Sequence, residues 1–196
     1  MIAKSHVTCV LVTASFLGCA TESHLPEQKP YLWEHQDSMR ANMQFGFFAL
    51  HQRSYQHDPA FHWDGACIYG QNFECYPEEK YCMGFVIHWL PSRNKLINRT
   101  LYLHLEATEG YAMANAYAPS PINVKTLPTK YIFVATEYDN CDILRVPHMS
   151  NGCEVWVRLD KVNEINSLCF FIYDLLCGPE KYITYDPDTC RNVTIT

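Results

Sequence analysis

Along the chain, short apolar runs alternate with turn-forming clusters. Phe45-Gly46-Phe47-Phe48-Ala49-Leu50 opens the series. Ala66–Tyr69, Tyr81–Trp89, Thr100–Leu105, Tyr111–Ala118, Tyr131–Thr136, Asp142–Val146 and Cys153–Leu159 follow. Asp58-Pro59, Pro91-Ser92-Arg93-Asn94 and Ser150-Asn151-Gly152 punctuate them, as turn residues do between strands. About eight short strands at this spacing predict an antiparallel barrel or sandwich. Two segments break the pattern. Asp37 or Ser38 is placed to cap a short helix carrying Met39, Ala41 and Met43. Near the other end, Val162, Ile165, Leu168, Cys169, Ile172, Leu175 and Leu176 recur at helical spacing until Gly178-Pro179 stops the run.

The first twenty residues stand apart. Lys4 and His6 precede the apolar run Val7–Leu17, and Gly18-Cys19-Ala20 forms a small-residue cleavage site. That is a secretory signal at 1–20, too short to span a bilayer. Residues 21–196 then read as one domain, with a loose polar lead-in around Pro26 and Pro30. An export signal makes the cysteines meaningful. Setting aside Cys9 and Cys19 leaves Cys67, Cys75, Cys82, Cys141, Cys153, Cys169, Cys177 and Cys190. An even set in an exported chain reads as disulfides, with roughly a hundred possible pairings. Zinc would want C-x₂₋₄-C pairs, and there are none. Asn98-Arg99-Thr100 and Asn192-Val193-Thr194 are sequons open to glycosylation in the same compartment. A net charge of −6 opposes nucleic acid and anionic membrane surfaces and favours cationic partners. A monomer with a small-molecule partner is expected.

Strand alternation sorts the chemistry of two segments. In Cys141-Asp142-Ile143-Leu144, Asp142 and Leu144 share one face. In Cys153-Glu154-Val155-Trp156-Val157, Glu154 and Trp156 share one face and the cysteine lies opposite. If both cysteines face a covering helix, then Asp142, Glu154 and Trp156 point into the barrel. Carboxylates beside an indole suit a cationic ligand, through charge-assisted hydrogen bonds and a cation–π face. Solvent-facing acids, with Trp156 as core filler, are equally compatible with alternation alone.

At these residues the chain resembles the tick salivary lipocalins of the histamine-binding type. The resemblance rests on His35-Gln36-Asp37, Tyr55 ahead of Asp58-Pro59, Asp139-Asn140-Cys141-Asp142, Cys153-Glu154-Val155-Trp156-Val157, and Cys67 with Cys190. It implies an all-β fold: an eight-stranded antiparallel lipocalin barrel with a short N-terminal helix and a C-terminal helix packed outside. It implies that a biogenic amine, histamine or serotonin, is held inside and withheld from the host. Tyr55, Asp58, Asp142, Glu154 and Trp156 match the family's ligand-contacting positions, and either Phe61 or Trp63 supplies a further aromatic. The resemblance also implies the pairs Cys67–Cys190, Cys141–Cys169 and Cys153–Cys177, which leaves Cys75 with Cys82. The chain departs from the family where Asn42 stands for an acid, where Glu106 is the candidate for a middle-strand acid, and where Tyr111–Tyr117 is built of small residues.

No enzyme is expected, since G-x-S-x-G, H-E-x-x-H and G-x-x-x-x-G-K-[ST] are all absent. No cofactor or metal is expected either; only His57 and His62, across Asp58-Pro59, approach a ligand spacing. Two alternatives remain. The aliphatic strands Phe85-Val86-Ile87 and Leu101-Tyr102-Leu103 are compatible with an apolar lipid mediator or sterol. Loops at 70–80 and 119–130 are the candidates for binding a host immune protein.

Overall fold

The computed structural model describes residues 25–59, 66–90, 95–121 and 129–190. The expected leader at 1–20, Phe61, Trp63, His62 and the Asn192 sequon lie outside the described residues. The strands are β1 (Phe48–Arg53), β2 (Ala66–Tyr76), β3 (Tyr81–Leu90), β4 (Lys95–Glu106), β5 (Ala116–Ser120), β6 (Tyr131–Glu137), β7 (Cys141–Val146), β8 (Gly152–Arg158) and the two-residue β9 (Tyr182–Ile183). Each of β2 to β7 pairs antiparallel with the next, β8 pairs with β1, and β1 returns to β2. Eight strands therefore close into an antiparallel barrel, which removes the unpaired edges that an open sheet exposes. β9 is laid onto β1 opposite Gln52 and Arg53.

Three readings of the sequence are corrected. Tyr111–Ala118 is not one strand: β5 begins at Ala116, and the preceding residues form a turn. Asn115 holds that turn, accepting from the Thr108 N–H and donating to its hydroxyl, both at 2.8 Å. Residues 70–80 are not a loop, because β2 continues to Tyr76 and only the tight turn before Tyr81 is irregular. Tyr76 and Tyr81 stack across that hairpin with ring centroids 4.6 Å apart. Likewise Pro119 and Ser120 belong to β5, and 122–128 lie outside the described residues.

Helix α1 (Ser38–Asn42) starts where the sequence places it. The Asp37 carboxylate accepts from the Arg40 N–H at 3.0 Å, satisfying one of the donors that a helix start leaves unpaired. Helix α2 (Ser167–Cys177) begins later than the apolar periodicity: the Asn166 side chain caps it through the Leu168 N–H, and Gly178 ends it at φ +87°. A final turn, α3 (Pro187–Cys190), closes the described chain.

Two apolar layers follow from strand alternation. Leu50, Ile68, Val86, Leu101, Leu103, Phe133, Leu144 and Trp156 fill the barrel. On the outside of β7 and β8, Ile143, Val155 and Val157 bury Tyr173 and Cys169 of α2. Disulfides Cys141–Cys169 and Cys153–Cys177 tie α2 to that outer face. Cys67–Cys190 ties the C-terminal turn to β2, and Cys75–Cys82 bridges β2 and β3.

Candidate functional site

β7 and β8 run in register without a bulge, with Asp142 opposite Trp156 and Leu144 opposite Glu154. Since the cysteines and valines of these strands face α2, the alternate residues must face inward. Asp142 and Trp156 line a cavity of about 80 Å³ in the barrel. Its walls are aromatic, with Phe48, Phe85, Tyr117, Phe133 and the Trp156 indole around the single carboxylate of Asp142. Asn42 of α1 closes the cavity on one side; its side-chain oxygen accepts from Asn72 Nδ2 at 2.9 Å. A Cβ on Gly70 would lie 3.3 Å from the Trp156 ring, so a larger residue there would press on the indole.

Asp142 has no ion-pair partner among the described residues. Enclosure by the barrel pushes its pKa up to about 7, and the Thr136 hydroxyl facing it on β6 offsets only part of that rise.

One strand step along β8, toward the β7–β8 turn, lies a second polar group. Glu154 is fully buried. One carboxylate oxygen accepts from the Tyr55 hydroxyl and the other from Trp156 Nε1 at 2.7 Å. Burial raises its pKa to about 6, against the pull of those donors and of Arg53. Asp58, also fully buried, accepts from the Tyr131 hydroxyl at 2.9 Å, and His148 Nε2 lies 3.2 and 3.3 Å from its two oxygens. Burial, reinforced by the neighbouring carboxylates, holds the Tyr55, Tyr117 and Tyr131 phenols protonated well above their usual range, and Tyr55 and Tyr131 serve as donors to Glu154 and Asp58. Tyr117 and Tyr131 stack at 5.2 Å and form a common wall between the cavity and this cluster.

The structure thus divides the residues singled out in the sequence. Asp142 and Trp156 line the cavity, whereas Tyr55, Asp58 and Glu154 form a packed network beside it. Glu106 does neither: it pairs with Lys130 at 3.1 Å and is not part of the cavity wall. Sequence reasoning missed Tyr117, Tyr131, Phe133, His148 and Arg53. Alternation along β6 carried the signal for Tyr131 and Phe133; nothing local marked His148, which follows the end of β7.

Comparison with known proteins bears on this arrangement. The sequence profile of the tick histamine binding protein family matches residues 26–192. No curated protein sequence matches the chain. Among solved structures, the AM182 serotonin complex superposes with a TM-score of 0.59 at 13% identity, covering 76% of this chain and 90% of that one. Japanin from Rhipicephalus appendiculatus bound to cholesterol gives 0.53 at 13% identity, covering 78% and 99%. The cockroach allergen Per a 4 gives 0.51 at 10% identity, covering 79% and 92%. At these identities the structural matches speak to the fold, a lipocalin barrel.

Proposed function

The chain belongs to the tick histamine binding protein family, and on that footing we propose that it is a secreted lipocalin that sequesters a small biogenic amine, histamine or serotonin, in its barrel. The family is one of carriers, with no catalytic step. The observation that carries the amine reading is Asp142: a carboxylate without an ion-pair partner among the described residues, in a cavity walled by Trp156, Tyr117, Phe48, Phe85 and Phe133. An ammonium group there donates a charge-assisted hydrogen bond to the Asp142 carboxylate and makes cation–π contact with the rings. The other two acids have partners already, Asp58 with His148 and Tyr131, Glu154 with Tyr55 and Trp156. They act as the polar floor behind the amine. The serotonin named for the AM182 complex supports this ligand class.

The second reading, an apolar mediator or sterol, draws on the aliphatic wall of Val86, Leu101, Leu103 and Leu144 and on the cholesterol named for Japanin. Volume disfavours it. A cavity of about 80 Å³ takes a few waters, at roughly 10–15 Å³ for each water centre, or a small amine ring, and a sterol skeleton needs the barrel to open further.

Isothermal calorimetry of the secreted protein with histamine and with serotonin is the test. Binding of either at tens of micromolar protein is expected. No heat with either, together with a lipid retained in native mass spectrometry, overturns the amine reading in favour of the lipid one.

A further inference from the structure

Helix α2 is apolar on more sides than the barrel buries. Cys169 and Tyr173 pack on β7 and β8, yet Leu168 is 40% exposed and Ile172 and Leu176 are only half-buried. A helix that is apolar nearly all round normally lies inside a protein; this one lies half in solvent. Facing it is the 3₁₀ turn Pro30–His35, which supplies Leu32. Between the two, over Val134 and Ile143 on the outer surface of the barrel, runs a groove of about 420 Å³. Small-molecule sites occupy roughly 300–1,000 Å³, a range that the groove reaches and the barrel cavity of about 80 Å³ does not.

Both walls are anchored. Cys141–Cys169 and Cys153–Cys177 hold α2 to the barrel. Gln36 Nε2 donates to the Val134 carbonyl at 2.9 Å and the Tyr138 hydroxyl to the Glu34 carbonyl at 2.6 Å, which pins the 3₁₀ turn to β6 and to the turn that follows it. The groove follows α2 from Leu168 to Leu176, about 12 Å at 1.5 Å per residue. At the Leu176 end lies Glu27, whose charge is met by Arg145 at 2.7 Å. Toward the start of α2, the groove shares His35, Thr136 and Glu137 with a second, polar hollow. Asn140, which accepts from the Asn166 N–H at 3.0 Å, places that hollow beside the first turn of α2.

The hollow is acidic. Glu34, Asp37 and Asp139 join Glu137 there, and Arg40, the single Arg or Lys among the described residues that line it, lies over the Tyr138 ring at 3.8 Å. Glu34, Glu137 and Asp139 make no ion pair among the described residues. Trp33, 42% exposed, adds an indole to the same hollow. An apolar groove with an acidic mouth complements a molecule with an apolar body and one positive end.

We propose that this groove is a second binding site, outside the barrel, for an amphiphilic amine whose apolar chain lies along α2 and whose ammonium meets Glu137 at the mouth. The chain gains by leaving water for the leucine and isoleucine walls. The ammonium stays at the half-exposed mouth, where it loses little hydration, whereas the closed end at Glu27 has a cation of its own. The same acids repel a carboxylate head group. The site is independent of the amine reading above, since groove and hollow share no lining residue with the barrel cavity.

Decylamine, 1-decanol and decanoate share a chain and differ in head group, and calorimetry with the three is the test. It is run on the wild-type protein, Glu137→Gln, Leu168→Arg and Asp142→Asn, with melting curves for each. The wild-type protein is expected to bind decylamine about tenfold more tightly than 1-decanol, as a hydrogen bond to a charged group gives, and decanoate least. Glu137→Gln should bring decylamine down to the level of 1-decanol. Leu168→Arg, at an exposed position, should weaken decylamine at least as much, and Asp142→Asn should leave it unchanged. No binding of decylamine, or equal binding of the three, overturns the proposal and leaves the barrel reading standing. Decylamine binding that falls in Asp142→Asn but survives Glu137→Gln and Leu168→Arg puts the chain in the barrel and overturns it as well. If histamine and serotonin fail to bind while decylamine responds to Glu137→Gln as expected, the groove stands and the barrel reading alone falls.

Discussion

At the scale of single residues, Asp142 sets two opposed demands. Its carboxyl is pushed up to about 7 because the barrel encloses it, and a bound ammonium favours the ionised form. Amine binding should therefore release protons near neutral pH, and affinity should fall as pH drops below about 7. Calorimetry in two buffers of different ionisation heat, from pH 7.5 to 5, measures both; a flat profile without proton release removes Asp142 from the cation site. The same shift acts on folding. The folded pKa lies above the unfolded value of 3.8, so the stabilising contribution is complete below about pH 4 and is lost as pH rises through about 7. Asp142→Asn should thus raise the melting temperature of the empty protein at pH 8. It should also cost about 1.5–3 kcal/mol of amine binding, the usual value of a hydrogen bond to a charged group. Binding without the site's charge and stability with it are expected never to improve together.

At the scale of elements, Arg145 joins pieces that the sequence leaves far apart. It points outward from β7, and its Nε donates to Glu27 at 2.7 Å. Nη1 donates to the Asn151 carbonyl and Nη2 to the Leu176 carbonyl near the end of α2, each at 2.9 Å. N-terminal segment, β7–β8 turn and α2 therefore meet on one buried guanidinium. Arg145→Met strands the buried Glu27 carboxylate and should cost about 3–5 kcal/mol in denaturant unfolding. The double variant with Glu27→Gln should recover much of that loss; no recovery means that the carbonyl bonds, not the ion pair, hold the elements. A different element offers a modification. Asn98 sits on β4 opposite Ile87, and it, Arg99 and Thr100 are all exposed. The sequon is accessible, and secretion from a eukaryotic host should add a glycan that N-glycosidase removes and Asn98→Gln abolishes.

Across the whole molecule, the disulfides differ in what they constrain. Cys67–Cys190 spans 123 residues and joins the C-terminal turn to the second strand, whereas Cys75–Cys82 spans 7 within one hairpin. By the loop-entropy relation, the long bridge is worth about 5 kcal/mol and the short one about 2 kcal/mol. Replacing each pair by alanine and measuring unfolding in denaturant should show that order. The reverse order would mean that strain or residual structure, not chain entropy, governs these bridges.

What the sequence determined by itself was what depends on local periodicity. The strand signals for β3, β6, β7 and β8, the Asp37 cap and the stop at Gly178 are legible because each rests on neighbouring residues along the chain. The inward face of Asp142, Glu154 and Trp156 is readable once the cysteines are turned toward a helix, since β7 and β8 pair without a bulge. The extra residue at His51, the matching slip between Phe133 and Ala135, and the inward turn of Arg53 leave no local trace. Bulges arise from pairing with a partner strand, and only closure of the barrel fixes them. The same closure separated Asp142, in the cavity, from Asp58 and Glu154, each engaged by tyrosine or histidine. A carboxylate's role here depends on which donors the fold brings within hydrogen-bond reach, and Tyr55 for Glu154 and Tyr131 for Asp58 lie 99 and 73 residues away along the chain.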